Sequence, residues 1–283
     1  MSIIRVVSYN IHKGRSATGG RESLSDLRLG LYGLRPDLLF LQEVQGRNQR
    51  HGSLDAQHES LAAVLRMEAA YGCNAVREAT DHGNALLSRY PILQYENQDI
   101  SDHKLEQRGL LHGVVEVEGQ PVHCIVVHLG LLAGGRSRQV QALVERIGRL
   151  VPDDEPLLIA GDFNDWGNRL APLFVQQLGL YEVFAVAPQG GGEIHRLRRT
   201  VARLRGHMPW TADRGLASVP ELGINGGARL TLPPRTFPAA FPWLRLDRIY
   251  QRGFAVRRAR VLYGAPWKQL SDHAPLVAEL ELP

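Results

Sequence analysis

Residues 157–166 read Leu-Leu-Ile-Ala-Gly-Asp-Phe-Asn-Asp-Trp, an apolar run that ends on a glycine and is followed by polar side chains. The four apolar residues predict a β-strand that is buried on both faces. Gly161 lets the backbone turn, or lets another segment approach closely. Because side chains alternate along an extended chain, Asp162 and Asn164 should point the same way, towards a shared ligand. The alternative is a strand that leads into an Asx-type turn, so this motif alone favours chemistry only modestly.

Other apolar runs in the chain also end in polar groups. Their ends carry Asn10, Glu43, His128, Asp162 with Asn164, Asp247, and Asp272 with His273. A buried, unpaired carboxylate is costly, so such groups are exposed, paired or metal-bound. Magnesium takes oxygen ligands and keeps several waters, so one or two carboxylates and an amide are enough to hold it. The set therefore favours metal-assisted phosphoryl transfer, although each residue alone could be a satisfied polar strand end.

Helical periodicity appears between the apolar strands. Amphipathic spacing predicts helices over residues 23–34, 55–65, 138–150 and near 170–178, with Ser23 or Ser25 as a cap of the first. Strands separated by helices indicate an α/β protein with covered sheets. A length of 283 residues fits one large domain or two smaller ones.

The composition predicts a soluble, cytoplasmic protein. Hydrophobic residues make up 44% of the chain, which is enough for a sizeable core. Met1 leads directly into an apolar strand run without the pattern of a signal peptide, and no apolar run is long enough to span a bilayer. Cys73 and Cys124 are too few for a disulfide framework and lack the spacing of a zinc site, so we expect two buried thiols.

The net charge of +4 and the pI near 9.3 indicate a mild preference for anionic partners, either nucleic acid or anionic phospholipid. The chain has only the lysines Lys13, Lys104 and Lys268, so nearly all of its positive charge is arginine. Arginine forms bidentate contacts with phosphate. A GC-rich genome that favours arginine codons is an equally good explanation.

A basic, glycine-flanked insertion is expected at about residues 189–232. Its residues 194–210 place Ile194, Leu197, Val201 and Leu204 on one helical stripe among arginines, followed by Trp210. A basic amphipathic helix can make peripheral contact with an anionic membrane or contact a nucleic-acid backbone. It can equally pack its stripe on the domain and leave its arginines in water.

The motifs, in their order, resemble those of the endonuclease/exonuclease/phosphatase superfamily, also called DNase I-like. They are Ser-Tyr-Asn-Ile, Leu-Gln-Glu-Val, Gly-Asn-Ala-Leu-Leu-Ser-Arg, Val-His-Leu, Gly-Asp-Phe-Asn, Leu-Asp-Arg-Ile and Ser-Asp-His. Each motif is weak alone, but seven in order are specific. The chain looks most similar to small bacterial members of unassigned substrate. The resemblance implies a single domain over 1–283 with an α/β (α+β) four-layer sandwich, in which two mixed β-sheets pack face to face between helices.

The resemblance also implies a metal site and a set of catalytic residues. Glu43 would be the main Mg²⁺ ligand, with Asn10 beside it and Asp272 contributing directly or through water. Mn²⁺ is an alternative ion. Asp162 would orient or deprotonate the attacking water, and His273, oriented by Asp247, would stabilise the pentacovalent phosphorus.

Four further positions match family residues that act on the substrate. His128 would act on the leaving oxygen, and Asn164 would donate to a phosphate oxygen. Arg108 and Asn84 are further candidates for phosphate binding. Histidine suits such roles because it titrates near neutral pH.

The fold does not name the substrate, because the superfamily acts on DNA, RNA, inositol lipids and sphingomyelin. The leading hypothesis is a Mg²⁺-dependent phosphodiesterase, with nucleic acid slightly favoured. The first alternative is a phospholipid or inositol-phosphate phosphodiesterase or phosphatase that acts at a membrane, which would place the protein peripherally on it. The second is a catalytically idle module that binds membrane or nucleic acid.

Overall fold

The computed structural model describes residues 2–103, 106–188 and 232–282. Apart from Leu232, the predicted basic insertion and its apolar stripe at 194–210 lie outside the described residues. By their contacts, the described residues up to Ala187 and from Leu232 onward form one compact unit.

The described strands form two six-stranded sheets. Sheet A has the order β11 (Ala255–Val261), β12 (Leu276–Glu281), β1 (Ile3–Asn10), β2 (Leu38–Val44), β4 (Asp81–Ser88) and β3 (Glu68–Val76). Sheet B has the order β5 (Ile92–Asp99), β6 (Gly109–Val117), β7 (Gln120–His128), β8 (Leu157–Asp162), β10 (Asp247–Arg252) and β9 (Tyr181–Glu182). Only β1–β2 and β7–β8 are parallel among these described pairs, so both sheets are mixed.

Side-chain alternation along the strands divides the apolar residues between different cores. In β1, Ile4 and Val6 face a core that contains residues of both sheets, whereas Val7 and Tyr9 face the other side of sheet A. Phe40 of sheet A and Val126 of sheet B are fully buried in the shared core. The two sheets therefore pack face to face.

Helices cover the outer faces of both sheets. The described helices are α1 (Leu24–Leu34), α2 (Gln57–Leu65), α3 (Ala133–Leu150), α4 (Ala171–Leu178), α5 (Val183–Val186) and α6 (Trp267–Leu270). Apolar residues of α1 and α2 pack on sheet A, and those of α3 and α4 pack on sheet B. The predicted four-layer α/β sandwich is confirmed. Not one of the described helices is long and apolar enough to cross a membrane.

Several local predictions are corrected. Helix α3 begins at Ala133 and not at Arg138, and its first turn packs closely on Asp102, since a Cβ on Gly135 would lie 2.9 Å from that residue. Ser23 is the N-cap residue of α1, but its hydroxyl donates to the Leu270 carbonyl and does not cap the helix. Cys124 is buried as expected, whereas Cys73 is exposed.

Gly161 is required where β8 approaches β7. Its φ is +150°, and a Cβ there would lie 1.9 Å from the Val127 carbonyl oxygen. No other residue type fits this position without moving the backbone. The close approach predicted for Gly161 is confirmed, and it fixes the strand end that carries Asp162.

Candidate active site

The polar strand ends lie on the inner face of the sandwich, at one of its ends. On the inner face of β8, Leu158 and Ala160 belong to the shared core, and alternation places Asp162 next in that series. His128 of β7 and Asp247 of β10 are the Cα partners of Asp162 on either side. Polar groups therefore continue the inner apolar rows just where the sandwich ends.

Asn10 joins the two sheets at this end. Its Nδ2 lies 3.4 Å from Glu43 Oε1 in sheet A and 3.4 Å from Asp162 Oδ2 in sheet B. Simple alternation would place Glu43 on the outer face with Leu39 and Leu41. A β-bulge between Leu41 and Val44, with Glu43 at φ +55°, turns the carboxylate towards Asn10.

Asp162 is the centre of the site. Its Oδ2 lies 3.5 Å from His128 Nε2 and 3.6 Å from His273 Nε2, and its Oδ1 accepts the Asn164 backbone N–H at 3.0 Å. Burial raises the pKa of Asp162 and the charge of Asp247 raises it further, whereas the two histidines oppose the shift. The carboxyl is therefore a better proton acceptor than an exposed aspartate.

His273 is held as a cation between two carboxylates. Its Nδ1 lies 2.9 Å from Asp247 Oδ2, and its ring packs on Phe237 with the ring centroids 5.0 Å apart. Burial would lower the pKa of His273, but Asp247 and Asp162 outweigh it and raise the pKa to about 10. The ring is therefore protonated at neutral pH.

His128, in contrast, is neutral at neutral pH. Burial and the charge of Arg108 lower its pKa to about 4, although Asp162 and Glu43 act in the other direction. A neutral and a charged histidine therefore flank the same carboxylate. Opposite protonation states of this kind are typical of sites that move protons.

The residues predicted to hold the metal lie around Asn10. Burial raises the pKa of Glu43, but the charges of His128, which is protonated only in acid, and of Lys13 outweigh it and hold the pKa well below its usual value. Glu43 is therefore ionised at neutral pH. A carboxylate and an amide are donors that suit Mg²⁺. The Asn10 amide faces the carboxylates with its nitrogen, so it would turn by half a rotation to present its oxygen to an ion. Asp272 Oδ1 lies 3.8 Å from His12 Nδ1, beside this group.

A second set of donors lies next to the first. Asp162, Asp247 and His273 are all buried, and one potential ligand atom from each lies within 4.8 Å of the others. Asp247 Oδ1 is buried and has no hydrogen-bond partner among the described residues. The oxygen donors of the first set fit a divalent cation, whereas the second set could bind one only with His273 deprotonated.

The predicted phosphate-binding residues differ in what they can offer. Asn164 donates one amide hydrogen to the Leu129 carbonyl, and its second amide hydrogen has no partner among the described residues. Arg108 contacts Glu106, and its buried Nε has no partner among the described residues. Asn84 is a correction: its amide donates to the carbonyls of Gly109 and Val126, so it links strands and has no hydrogen left for a phosphate.

Sequence reasoning missed two residues that contact the site. Lys13 Nζ contacts Glu43 Oε2, although the sequence distinguishes this lysine only as one of three in the chain. Arg248 is fully buried and donates to the backbone carbonyls of Asp247 and Asp165. Its place in the Leu-Asp-Arg-Ile motif was the available signal, because an arginine inside an apolar strand needs buried partners.

The geometry agrees with comparisons to known proteins. The Endonuclease/Exonuclease/phosphatase family matches residues 7–273. The chain belongs to this family. A relative, the uncharacterized protein YbhP of Escherichia coli K12, is 37% identical and covers 98% of this chain and 96% of its own. Members of the family are hydrolases that act on phosphate esters.

Two solved structures show the same fold at low identity. The endonuclease/exonuclease/phosphatase from Beutenbergia cavernae has a TM-score of 0.70 at 18% identity, covering 100% of this chain and 72% of its own. TDP2 from D. rerio, solved with a single-strand DNA product, has a TM-score of 0.61 at 17% identity, covering 99% of this chain and 100% of its own.

Proposed function

We propose that the chain is a Mg²⁺-dependent phosphodiesterase whose leading substrate is nucleic acid. The observation that supports this most strongly is the position of Asp162, within 3.6 Å of Asn10, His128 and His273. These groups come from both sheets and include one proton acceptor, one cation and one neutral imidazole. A merely structural cluster would not need opposite charge states on its two histidines.

The proposed reaction is hydrolysis by one water. The water oxygen bonds to phosphorus, the ester P–O bond breaks, and Asp162 takes the proton that the water loses. The His273 Nε2–H faces the site as a cation and stabilises the extra negative charge on the phosphoryl oxygens. The N–H of neutral His128 donates a hydrogen bond to the leaving oxygen, which takes its proton from solvent water, and the second amide hydrogen of Asn164 donates to a phosphoryl oxygen.

A divalent cation held by Glu43 and Asn10, with Asp272 nearby, would polarise a phosphoryl oxygen as a Lewis acid. The three residues contribute oxygen donors only, and Glu43 is ionised at neutral pH. Oxygen donors favour Mg²⁺ or Mn²⁺ over softer metals. This is the basis for proposing Mg²⁺ as the ion and Mn²⁺ as a substitute.

Positive charge near the site supports a polyanionic substrate. Burial and then the charges of Lys13, Arg108 and Arg77 lower the pKa of His82 to about 4, although Glu43 acts in the other direction. Lys13 also contacts Glu43, and the charge of Arg108 acts on His128, so positive charge borders the site. The TDP2 structure with a DNA product provides a precedent for nucleic acid on this fold.

A substrate panel with added salt tests the nucleic-acid proposal. Single-stranded DNA, RNA, plasmid DNA and a soluble diester dye are incubated with Mg²⁺ or with a chelator. We expect Mg²⁺-dependent cleavage of at least one nucleic acid. For single strands, each tenfold rise in salt concentration should lower the logarithm of the affinity by about 0.7 per contacted phosphate. Efficient hydrolysis of the dye without cleavage of any nucleic acid would contradict this substrate choice.

Exposed apolar side chains favour phospholipid as a second candidate. Loops that follow or flank the site carry apolar side chains that are more than half exposed: Leu131, Leu132, Trp166, Phe241 and Trp243. Leu132 follows the His128 strand, and Trp166 follows Asn164. Aromatic rings can stack on bases, but exposed leucines cannot, and a mixture of both is typical of surfaces that enter a membrane interface.

A rim variant tests the lipid candidate. Combined Leu132→Ser, Trp166→Ser and Phe241→Ser should reduce hydrolysis on anionic vesicles far more than hydrolysis of the soluble dye. Leu29→Ser is the matched control, because Leu29 is 72% exposed on α1, away from the site strands. An unchanged ratio of vesicle to dye hydrolysis in the rim variant would rule this candidate out. If the wild type binds nucleic acid or vesicles but hydrolyses no diester, the chain is an idle binding module.

A further inference from the structure

Lys13 contacts Glu43, the residue predicted to be the main ligand of the metal ion. Its Nζ contacts Glu43 Oε2, while Asn10 Nδ2 approaches the other oxygen, Oε1. Both oxygens of the main predicted metal ligand are therefore used by nitrogen donors of the chain itself. The Lys13 side chain is 34% exposed and that of Glu43 is 19% exposed, so the pair lies at the mouth of the site.

The backbone around Lys13 is held in an unfavourable conformation. His12, Lys13 and Gly14 have φ values of 47°, 58° and 68°. A left-handed conformation is unfavourable for a non-glycine residue and persists only where the surroundings impose it. An ordinary surface loop between a strand and a helix has no need of two such residues in succession.

Gln57 holds this loop against the segment that follows Glu43. Gln57 is fully buried; its Nε2 donates to the Lys13 carbonyl at 2.8 Å, and its Oε1 accepts the Gln45 backbone N–H at 3.0 Å. One side chain of α2 thus fixes both segments that carry the Lys13–Glu43 pair. The pair is therefore positioned by the fold, and is not a chance contact of two flexible side chains.

We propose that Lys13 is an internal cation that competes with the divalent metal for Glu43 and then binds the substrate phosphate. This inference rests on the proposed phosphodiesterase function. Without metal, the ammonium balances the charge of a largely buried carboxylate, which would otherwise be costly. Metal binding displaces the ammonium from Glu43. The freed ammonium, still next to Glu43, would be a compact donor for a phosphate oxygen bound there.

The first test is metal affinity, which does not depend on activity. Mn²⁺ is titrated into metal-free protein and free Mn²⁺ is followed by electron paramagnetic resonance. We expect Lys13→Met to bind Mn²⁺ roughly tenfold more tightly than the wild type, because one competitor is gone. Lys13→Arg should stay near the wild type, because it keeps the charge. Arg15→Met is the matched control, since it removes a charge from the same loop, where the Arg15 side chain donates to the Gly19 carbonyl.

The second test separates substrate binding from metal binding. At saturating Mn²⁺, Lys13→Met should raise KM for a soluble diester roughly tenfold, with a smaller change in kcat. Circular dichroism at each metal concentration shows whether the variant is folded. If Lys13→Met is unfolded, Lys13→Gln takes its place in both measurements.

The outcomes distinguish this inference from the function on which it rests. If a folded Lys13→Met binds Mn²⁺ as the wild type does or more weakly, while the wild type binds Mn²⁺ and hydrolyses the diester, only the role of Lys13 is overturned. If the wild type neither binds Mn²⁺ nor hydrolyses any diester, the proposed function and the inference both fail.

Discussion

Asp162 shows how a single residue acquires its chemistry from its surroundings. Burial and the charge of Asp247 raise its pKa, whereas His128 and His273 act to lower it. Its two oxygens also have separate tasks, since Oδ1 accepts the Asn164 backbone N–H and Oδ2 faces both histidines. An amide in its place would keep the size and the Oδ1 contact, but it would turn an N–H towards the donors on Asn10 and His273 and could not accept a proton from water.

Asp162→Asn should therefore reduce hydrolysis of a soluble diester by about 10²–10⁴-fold, the usual contribution of a general base. Its melting temperature should fall, because the buried carboxylate that faces the His273 cation is lost, so circular dichroism must show that the variant is folded at the assay temperature. Asp26→Asn, on the exposed face of α1, is the control and should keep full activity. Activity of Asp162→Asn within tenfold of the wild type would exclude Asp162 as the base.

His273 provides a test of electrostatics in metal-free protein. Its pKa is raised to about 10 by Asp247 and Asp162 against the effect of burial. The folded pKa lies above the unfolded value of about 6.5. The attraction between protonated His273 and the two carboxylates therefore stabilises the fold fully below pH 6.5, and this contribution is lost as pH rises towards 10.

Asp247→Asn should shift the His273 titration to lower pH by at least about one unit, since it removes the charge nearest to Nδ1. Nitrogen NMR of labelled histidine in the presence of a chelator measures this shift directly. Identical titration curves for the wild type and Asp247→Asn would show that Asp247 does not set the charge of His273.

At the scale of elements, the junction of β7 and β8 carries the site. Gly161→Ala should destabilise the protein by on the order of 3 kcal/mol or more, because a Cβ would lie 1.9 Å from the Val127 carbonyl oxygen. Gly148→Ala is the control: Gly148 is exposed in α3 with nothing within 4 Å of an added Cβ, and alanine should stabilise that helix by about 0.5–1 kcal/mol. Denaturant unfolding measures both, and equal stabilities would contradict the close approach of the two strands.

Helix α3 is attached to sheet B by a chain of buried polar groups. Arg146 Nε donates to His112 Nδ1 at 3.2 Å, His112 Nε2 lies 2.8 Å from His123 Nδ1, and His123 Nε2 lies 2.7 Å from Glu155 Oε2. Since Arg146 can only donate, His112 accepts at Nδ1 and donates its single N–H, at Nε2, to His123 Nδ1. The chain is satisfied only while His112 is neutral.

Acid should therefore weaken this attachment. Burial, and then the charges of His123 and Arg146, lower the pKa of His112 to about 3. Between about pH 6.5 and pH 3, His112 is protonated in the unfolded chain but neutral in the folded protein. The free energy of unfolding therefore falls as pH falls, by up to about 1.4 kcal/mol per pH unit. His112→Asn should show a shallower loss over this range in denaturant unfolding. A slope equal to that of the wild type would contradict a neutral, buried His112.

At the scale of the whole molecule, the fold was largely predictable because apolar alternation and strand-end polar groups are properties of local sequence. Residues 157–164 predicted a buried strand, which the structure has over Leu157–Asp162. Beyond Asp162 the chain takes the alternative Asx-type turn, because Asp162 Oδ1 accepts the Asn164 backbone N–H and Asn164 has a φ of +49°. The edge strands β3 and β5 were not predicted, because at the edge of a sheet a strand need not be apolar. Cys73 lies on such an edge strand, which explains its unexpected exposure.

The parts of the site that were missed depend on contacts between distant segments. Lys13 meets Glu43 only because a left-handed loop and the buried Gln57 bring them together. Asn84 is directed into the sandwich by carbonyls of β6 and β7, which a motif cannot show. Local patterns predicted which residue types occupy the site end, whereas long-range hydrogen bonds decide which of them are free to act.

Metal-dependent hydrolysis in matched variants tests the central claim most directly. The rate of diester hydrolysis is measured for the wild type, Glu43→Gln and Asp162→Asn, each with Mg²⁺ and with chelator. We predict a wild-type rate that is lost on chelation and restored by Mg²⁺, with both folded variants at least about 10²-fold slower. Equal rates in all three proteins, or a wild-type rate unaffected by chelator, would contradict the assignment of this strand-end cluster as a metal-dependent active site.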